Sequence, residues 1–356
     1  MLPGDGVGPE IFSSLKPMVA WLQSSIDLDV KEAVSGYNAY LAQGVTLPRD
    51  TLALALDSDA VLFGAEDNEA FSTLHPAERP SSALLELRQK LGVFANLRPV
   101  RINPSLVSRS PLKPEIISGS DFIVVRELLG GLYFGTPRGI EALPDGRRRG
   151  VDSLVYFSDE IERVARVAFE LARSRRNKLC SVDKGNVLAT GALWRDVVSS
   201  LGRSAYPDVE LSHMYVDNCA MQLVRQPSQF DVIVTENTFG DILSDCAAMI
   251  PGSIGMLPSA SLSRQDESGR RRGLYEPIHG SAPDIAGKNL ANPIGTILSL
   301  AMALKHSLGA PELAARLEQA VEEVLETGKR TRDLGGDGTS GTREMAQAIA
   351  DRLQAQ

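Results

Sequence analysis

Phe230-Asp-Val-Ile-Val-Thr-Glu-Asn-Thr-Phe-Gly-Asp-Ile-Leu-Ser-Asp245 is the most informative stretch of this chain. It opens with an apolar run typical of a buried strand, and helical spacing follows, with Asp241 and Asp245 four residues apart. That spacing puts both carboxylates on one helix face, where they repel each other by about 0.2–0.5 kcal/mol unless a cation lies between them. A solvated acidic face is the commoner explanation. Because α/β folds place ligand sites just after strands, and hard oxygen ligands favour Mg²⁺ or Mn²⁺, we predict a metal site.

The same alternation of apolar runs and helical patterns continues along the chain and predicts an α/β fold. The predicted strands cover residues 60–63, 122–125, 178–182 and 231–234, and the predicted helices cover residues 158–174, 313–328 and 342–353. Residues 129–135, rich in glycine and aromatics, predict the start of a β-arm. A length of 356 residues is enough for two domains, and no low-complexity linker separates them.

Composition excludes several classes of partner. The net charge of -8 and the pI near 5.2 argue against a nucleic-acid partner. No apolar run is long enough to span a membrane, and no signal peptide is visible. Three cysteines without metal-ligand spacing indicate buried thiols, so we expect a cytoplasmic protein.

Gly4-Asp-Gly-Val-Gly8 only weakly resembles a dinucleotide fingerprint. That fingerprint follows a full strand and continues as G-x-G-x-x-G. Here Pro9 comes next, which predicts a strand-to-helix turn with proline in the first helical turn.

Three arginines, Arg88, Arg98 and Arg126, are candidates for binding carboxylates, because guanidinium groups form paired hydrogen bonds with them. Arg126 ends a predicted buried strand, where an unpaired charge costs several kcal/mol. Structural pairing is the alternative, and the neighbouring Glu127 is an available partner for Arg126.

Polar groups after other strands add candidates for catalysis and cofactor binding. Lys184 follows the strand at 178–182 and is a candidate base, and Tyr133 is either a general acid or an aromatic that packs on the arm. The Gly/Pro-rich loop at 276–284 offers His279 and backbone N–H groups, and Asp284 could accept from ribose hydroxyls.

Taken together, these motifs resemble those of the 3-isopropylmalate dehydrogenases, within the wider family of metal-dependent β-decarboxylating dehydrogenases. The resemblance runs nearly end to end, and it is carried by Leu2-Pro-Gly-Asp-Gly-Val-Gly-Pro-Glu10, Phe94-Ala-Asn-Leu-Arg-Pro99, Val125-Arg-Glu-Leu-Leu-Gly-Gly-Leu-Tyr-Phe-Gly135, Ser181-Val-Asp-Lys184, Tyr215-Val-Asp-Asn218, Phe239-Gly-Asp-Ile-Leu-Ser-Asp245, Gly255-Met-Leu-Pro-Ser-Ala-Ser261 and His279-Gly-Ser-Ala-Pro-Asp-Ile-Ala-Gly287.

The resemblance implies an isopropylmalate-dehydrogenase-like, two-domain open α/β fold that is not a Rossmann fold. The first, cofactor-side domain is expected at residues 1–93 and 252–356, around a second domain at 94–251 that carries a dimerisation arm. The family works as a homodimer in which each subunit completes the other's site.

The resemblance also assigns roles to residues. The metal ligands would be Asp217, Asp241 and Asp245, with Asp217 supplied by the partner chain and also close to the substrate. The substrate carboxylates would be bound by Arg88, Arg98 and Arg126. The base would be Lys184, which like Asp217 would serve the site of the opposite subunit, and the acid would be Tyr133. The NAD site would comprise Glu276, His279, Gly280, Ser281, Ala282, Asp284, Ile285 and Asn292. Leu84 and Leu85, on the helix ahead of Arg88, offer hydrocarbon to the substrate side chain.

The chain departs from the family pattern in its first strand, which we expect to be missing as in a truncated gene, and at three other places. Residues 66–69 replace a Gly-Gly-Pro loop, Ser81 replaces the usual glutamate, and Glu236 replaces a usual glycine. The two loop changes should face the nicotinamide and the substrate side chain.

The leading hypothesis is NAD-dependent, Mg²⁺- or Mn²⁺-assisted oxidative decarboxylation of (2R,3S)-3-isopropylmalate to 4-methyl-2-oxopentanoate in leucine biosynthesis. The same chemistry on another 3-substituted malate, such as 3-benzylmalate, is the alternative. A third hypothesis, a catalytically impaired paralogue, is disfavoured because all the catalytic residue types are present.

Overall fold

The protein is described by a computed structural model that covers residues 1–67, 69–74, 78–267, 271–335 and 340–355. Its strands are, in chain order, β1 (Leu2–Gly4), β2 (Ala60–Ala65), β3 (Ala95–Arg101), β4 (Asp121–Glu127), β5 (Gly139–Ala142), β6 (Arg148–Val151), β7 (Lys178–Asp183), β8 (Glu210–Tyr215), β9 (Val232–Thr235), β10 (Pro258–Gln265) and β11 (Arg271–Pro277). Its α-helices are α1 (Gly8–Ser14), α2 (Lys16–Ser25), α3 (Gly36–Gln43), α4 (Arg49–Asp57), α5 (Ala83–Leu91), α6 (Pro114–Ile117), α7 (Ser158–Arg173), α8 (Ala189–Ala205), α9 (Val216–Arg225), α10 (Asn237–Ala248), α11 (Ile294–His306), α12 (Pro311–Glu326) and α13 (Thr342–Gln354).

Internal contacts divide the chain into two compact units. The first unit comprises Met1–Val93, Asn103–Pro111 and Pro251–Gln356, and the second comprises Phe94–Ile102 and Leu112–Ile250. Each unit has its own strands and helices.

In the first unit the strands lie in the order β1-β2-β11-β10. The pairs β1–β2 and β2–β11 are parallel, and β10 and β11 are antiparallel. Helix α11 packs against β10 and β11. It is apolar on nearly every side and mostly buried, as a central helix of a unit must be.

The N-terminal segment corrects one expectation and confirms another. The first strand is not missing, because Leu2 pairs with Phe63 and Gly4 with Ala65 in parallel register. Helix α1 then begins at Gly8 with proline in its first turn, so the glycine-rich stretch is the predicted strand-to-helix turn.

In the second unit the strands lie in the order β3-β4-β9-β7-β8. The pair β3–β4 is antiparallel and the other pairs are parallel. Helix α7 buries the face that its spacing predicted, with Ile161, Val164, Ala165 and Ala168 inside.

All four predicted strands and all three predicted helices are present, with ends that differ by a few residues. The predicted β-arm is also present, but its strands come later. Gly131–Tyr133 is a short 3₁₀ turn, and the exposed hairpin β5–β6 follows it. None of the described helices combines the length and apolarity that a membrane span requires.

Candidate active site

In the second unit the site is built on helix α10, which begins two residues after β9. Glu236 caps this helix, because its carboxylate accepts from the backbone N–H groups of Thr238 and Phe239 at 3.0 and 2.8 Å. Burial raises the pKa of Glu236 above its ordinary value. Asp241 and Asp245 follow on the helix, as predicted.

Arg126, at the end of β4, is held by the first two turns of α10. Its Nε and Nη2 donate to the Asn237 Oδ1 at 3.0 and 2.8 Å, and its Nη1 forms an ion pair with Asp241. The guanidinium is almost fully buried. The structure therefore joins one predicted carboxylate-binding residue to one predicted metal ligand.

Arg98, on β3, reaches the same helix further along. Its Nη1 donates to the Ser244 Oγ at 2.7 Å and to the Asp245 Oδ1 at 3.0 Å, and its Nη2 lies 3.5 Å from Asp241. Asn96 fixes the other edge of the guanidinium, since its Oδ1 accepts from Arg98 Nε at 2.9 Å. Two arginines thus converge on two aspartates.

Tyr133 completes this cluster from the 3₁₀ turn before the arm. Its hydroxyl donates to the Asp241 Oδ2 at 3.0 Å. Burial and the neighbouring Asp241 charge raise the pKa of Tyr133 above its ordinary value, so the phenol keeps its proton near neutral pH. A protonated hydroxyl beside a carboxylate suits the predicted role of general acid.

The partner that the sequence suggested for Arg126 is wrong. Glu127 does not pair with Arg126, because successive residues of a strand point to opposite faces. It is fully buried and accepts instead from Arg163 at 3.2 Å, the Tyr156 hydroxyl at 3.2 Å and two backbone N–H groups. The Tyr156 hydroxyl also lies 3.4 Å from the Glu236 Oε2. The buried carboxylates of Glu127 and Glu236 therefore contact the same phenol.

Lys184 and Asp217, both predicted to serve the opposite subunit, lie together in the second unit. Lys184 Nζ donates to the Asp217 Oδ1 at 2.6 Å, and this contact lowers the pKa of Asp217. Among the described residues, no three acid, histidine or cysteine side chains group as a metal site. Within one chain, therefore, Asp217 does not join Asp241 and Asp245.

In the first unit, Arg88 lies in the last turn of helix α5 and forms a buried ion pair with Glu276 on β11. Arg88 Nη2 donates to the Glu276 Oε1 at 2.8 Å, while Arg88 Nε is buried without a hydrogen-bond partner among the described residues. The sequence assigned Arg88 to the substrate and Glu276 to the cofactor, and the structure places the two in contact.

The first turn of α5 carries the apolar candidates. Leu84 is partly buried and Leu85 is exposed, and Ser81, just before the helix, is exposed as well. Glu66, from the altered loop after β2, accepts from the Ser82 hydroxyl and from the N–H groups of Ala83 and Leu84. Asn68 of that loop lies outside the described residues.

The predicted cofactor loop follows β11 and packs on the glycine-rich turn. Gly6 has a φ of +56°, and a side chain there would collide with the Ser281 carbonyl, whose oxygen accepts from Val7 N at 2.8 Å. Ala282 and Ile285 pack against Val7 and Ile11 beneath this loop.

The polar residues of the loop differ in their exposure and in their hydrogen bonds. Asp284 is exposed, and Gly280 accepts through its carbonyl from His279 Nδ1 at 2.9 Å. Burial lowers the pKa of His279, and its Nε2 is buried without a partner among the described residues. Asn292 caps α11 by accepting from Ile294 N at 3.0 Å, and its amide donates to Asp333 at 3.0 Å.

The acidic residues on α10 fit a divalent cation, and the loop after β11 fits a dinucleotide, the two groups that the resemblance implies. For a divalent cation, the carboxyl group of Asp245 is partly open to solvent, and its partial burial and then its repulsion from Asp241 raise its pKa. A nearby cation would relieve this repulsion, and an ionised carboxylate has lone pairs to spare beyond its arginine contacts. For a dinucleotide, the unpartnered His279 Nε2 and the exposed Asp284 carboxylate are the available polar groups.

Sequence reasoning missed three residues that position the arginines, namely Asn96, Asn237 and Ser244. Asn237 lies four residues before Asp241 and Ser244 three after it, so helical spacing could have found them. Asn96 lies two residues before Arg98, on the same strand face.

The chain is similar over nearly its whole length to known proteins. The model of the isocitrate/isopropylmalate dehydrogenase family matches residues 1–349. The chain is 51% identical over 358 residues to a 3-isopropylmalate dehydrogenase of Gluconobacter oxydans (strain 621H), covering 99% of this chain and 97% of that protein. It is 54% identical over 360 residues to one of Chromohalobacter salexigens, covering 100% and 98%. The crystal structure of an isocitrate dehydrogenase from Methylococcus capsulatus superimposes with a TM-score of 0.87 at 34% identity, covering 99% of this chain and 98% of that one.

Fold and site thus define an α/β oxidoreductase, specifically a dehydrogenase. The chain belongs to the isocitrate/isopropylmalate dehydrogenase family, and the predicted family fold is confirmed.

The Glu236 carboxyl should stabilise the fold more at low pH than at high pH. Its pKa is raised in the folded chain above the ordinary 4.5, so its contribution to stability is complete below that value and is lost as the pH rises through the raised pKa. We expect the free energy of unfolding of the wild type to fall relative to that of Glu236→Gln as the pH rises above 4.5, measured by urea titration at a series of pH values. Glu162→Gln, which removes an exposed carboxylate, is the control for loss of one charge. Parallel pH curves for wild type and Glu236→Gln would contradict the assignment.

Proposed function

We propose that this dehydrogenase catalyses the NAD-dependent oxidative decarboxylation of (2R,3S)-3-isopropylmalate to 4-methyl-2-oxopentanoate, in leucine biosynthesis. The observation that carries the proposal is the cluster in which Arg98, Arg126 and Tyr133 meet Asp241 and Asp245. It combines donors for carboxylates, a proton donor and hard oxygen ligands. The more than 50% identity to proteins named 3-isopropylmalate dehydrogenase favours this substrate over isocitrate.

The arginines suit a substrate with two carboxylates. Arg88, Arg98 and Arg126 are proposed to bind them, because each guanidinium is buried and charge-assisted hydrogen bonds are strong there. In the structure these arginines pair with Glu276, Asp245 and Asp241. Substrate carboxylates would share or replace those partners, so the arginines are positioned in advance.

Two residues are proposed to move the protons. Lys184, acting as a neutral amine, takes the proton of the 2-hydroxyl through a relay, and the contact of its Nζ with Asp217 holds the side chain in place. After the carboxylate on C3 has left as CO₂, Tyr133 protonates C3 of the enolate, a role that suits a phenol with a raised pKa. Bound NAD would supply a hydride acceptor for C2, and a bound divalent cation would supply Lewis-acid polarisation of the C2 oxygen.

Asp217, Asp241 and Asp245 are proposed to hold Mg²⁺ or Mn²⁺. NAD is proposed to lie at Glu276, His279, Gly280, Ser281, Ala282, Asp284, Ile285 and Asn292. Leu84 and Leu85 would contact the group on C3.

A homodimer with shared sites is proposed from the surface of α9 and α10. Met221 and Val224 on α9 are 60% and 55% exposed, and Ile242 on α10 and Met249 just after it are 56% and 48% exposed. Asp217 lies four residues before Met221, on the same face of α9. A second copy that covers this apolar face would also receive Asp217 at its own site.

The alternative substrate, a 3-benzylmalate-like acid, is favoured by one observation. Ser81 is small and exposed beside the first turn of α5, which leaves room for a larger apolar group. The cytoplasm remains the proposed compartment, because all three cysteines are free thiols. Cys180 and Cys219 are buried as expected, whereas Cys246 is exposed.

A substrate panel tests the function. We expect NADH formation with the highest kcat/KM on 3-isopropylmalate, because the leucines of α5 suit a branched hydrocarbon. Higher kcat/KM on 3-benzylmalate would promote the alternative. Isocitrate outperforming every 3-alkylmalate would contradict the proposed apolar pocket.

Asp241→Asn should abolish turnover at ordinary Mg²⁺ or Mn²⁺ concentrations, since it removes a ligand charge. Excess chelator should have the same effect on the wild type, and added metal should reverse it. Asp208→Asn, which changes an exposed aspartate paired with Arg173, is the control. Near-normal activity of Asp241→Asn, or of the wild type in chelator, would sink the metal assignment.

Subunit mixing tests the shared site. Lys184→Met and Asp241→Asn should each be inactive, while their verified heterodimer should approach half the wild-type activity, because one of its two sites is complete. Mixing Lys184→Met with Asp217→Asn is the matched control and should restore nothing, since both residues serve the same opposite site. Equal results from the two mixtures would refute the arrangement.

The enzyme should prefer NAD over NADP, because the exposed Asp284 carboxylate would repel a 2′-phosphate. Asp284→Ala should weaken that preference. The ratio of kcat/KM for the two cofactors is the measurement, and a wild-type preference for NADP would overturn this claim.

A further inference from the structure

The carboxylate of Glu66, in the loop after β2, contacts the start of helix α5. Glu66 accepts from the Ser82 hydroxyl at 2.5 Å, from Ala83 N at 2.6 Å and, more weakly, from Leu84 N at 3.4 Å. Ser82 Oγ in turn accepts from Leu85 N at 3.2 Å. The three N–H groups of the first turn are therefore all in use.

A helix start of this kind would otherwise attract an anion. Free N–H groups and the positive end of the helix dipole bind carboxylates and phosphates, and a serine hydroxyl adds a donor. In this chain Glu66 already accepts from the Ser82 hydroxyl and from two of these N–H groups. The ionised form of Glu66 also repels a second anion at this turn.

The backbone on both sides of Glu66 is fixed. Asp5 is buried, and its carboxylate accepts from Asp67 N at 2.9 Å, while Asp5 N donates to the Ala65 carbonyl at 2.9 Å. Burial and the charge of Asp5 raise the pKa of Glu66. The carboxyl group is thus built into the unit and does not lie free in solvent.

We propose that Glu66 is a specificity-determining residue that fills the anion-binding first turn of α5 and so excludes substrates whose C3 group ends in a carboxylate. The inference rests on the proposed function, because it concerns the substrate end of the same helix. Leu84, Leu85 and Arg88 share α5 with this turn. An apolar C3 group meets the leucines, whereas a carboxylate meets Glu66 and finds the N–H groups of the first turn already in use.

The measurement is the ratio of kcat/KM on isocitrate to that on 3-isopropylmalate. Glu66→Val should raise this ratio at least tenfold, because it frees Ser82 and the N–H groups. Glu66→Gln, which keeps the shape and removes the charge, should raise it less. Glu312→Gln, which removes an exposed carboxylate from the first turn of α12, is the control and should leave the ratio unchanged.

Two further readouts separate the possible causes of failure. Thermal unfolding checks each variant, and if Glu66→Val does not fold, Glu66→Gln decides the question. An isocitrate-induced rise in melting temperature with Mg²⁺, larger in the Glu66 variants than in the wild type, tests binding without turnover. Wild-type inactivity on every 3-alkylmalate would sink the proposed function. An unchanged ratio and an unchanged melting shift in folded Glu66 variants would overturn the role of Glu66.

Discussion

The ion pair between Arg126 and Asp241 is the constraint on which the second unit depends. It joins the end of β4 to the second turn of α10, and Asn237 holds the remaining edge of the guanidinium. Removing one partner would leave a buried charge, at a cost on the order of 3 kcal/mol. The contact also explains Gly240, since a side chain there would lie 2.6 Å from the Arg126 Cγ. The stretch from Asn237 to Asp245 is therefore spaced to receive an arginine as much as to present two acids.

The arginines proposed to bind substrate have the same kind of environment in both units. Arg98 and Arg126 in the second unit, and Arg88 in the first, are buried and paired with carboxylates of the chain. Such pairing keeps a buried charge tolerable and holds the guanidinium in one orientation. The alternative of structural pairing and the proposal of substrate binding are thus compatible, because the same contacts that stabilise the arginines also position them.

The spacing of apolar residues along the sequence predicted the strands and helices well, because burial on one face repeats with a different period in strands and in helices. It predicted the segment from β9 to α10 and the spacing of Asp241 and Asp245. It could not predict that Arg126 pairs with Asp241 and not Glu127, since that pairing depends on which face of β4 meets α10. It likewise could not assign Glu66, whose partners lie in a segment that comes close only through the fold. The 3₁₀ turn at Gly131–Tyr133 was missed because glycine-rich sequence fits several backbone conformations.

The central claim is that Asp241 and Asp245 of one subunit, with Asp217 of another, hold one divalent cation beside the arginines. The most direct measurement is anomalous diffraction from crystals grown with Mn²⁺ and 3-isopropylmalate. The account predicts one strong manganese peak per subunit, with oxygen ligands from Asp241, Asp245 and the partner subunit's Asp217. A peak coordinated by Asp217 of the same chain, or bound manganese that none of these aspartates contacts, would contradict it.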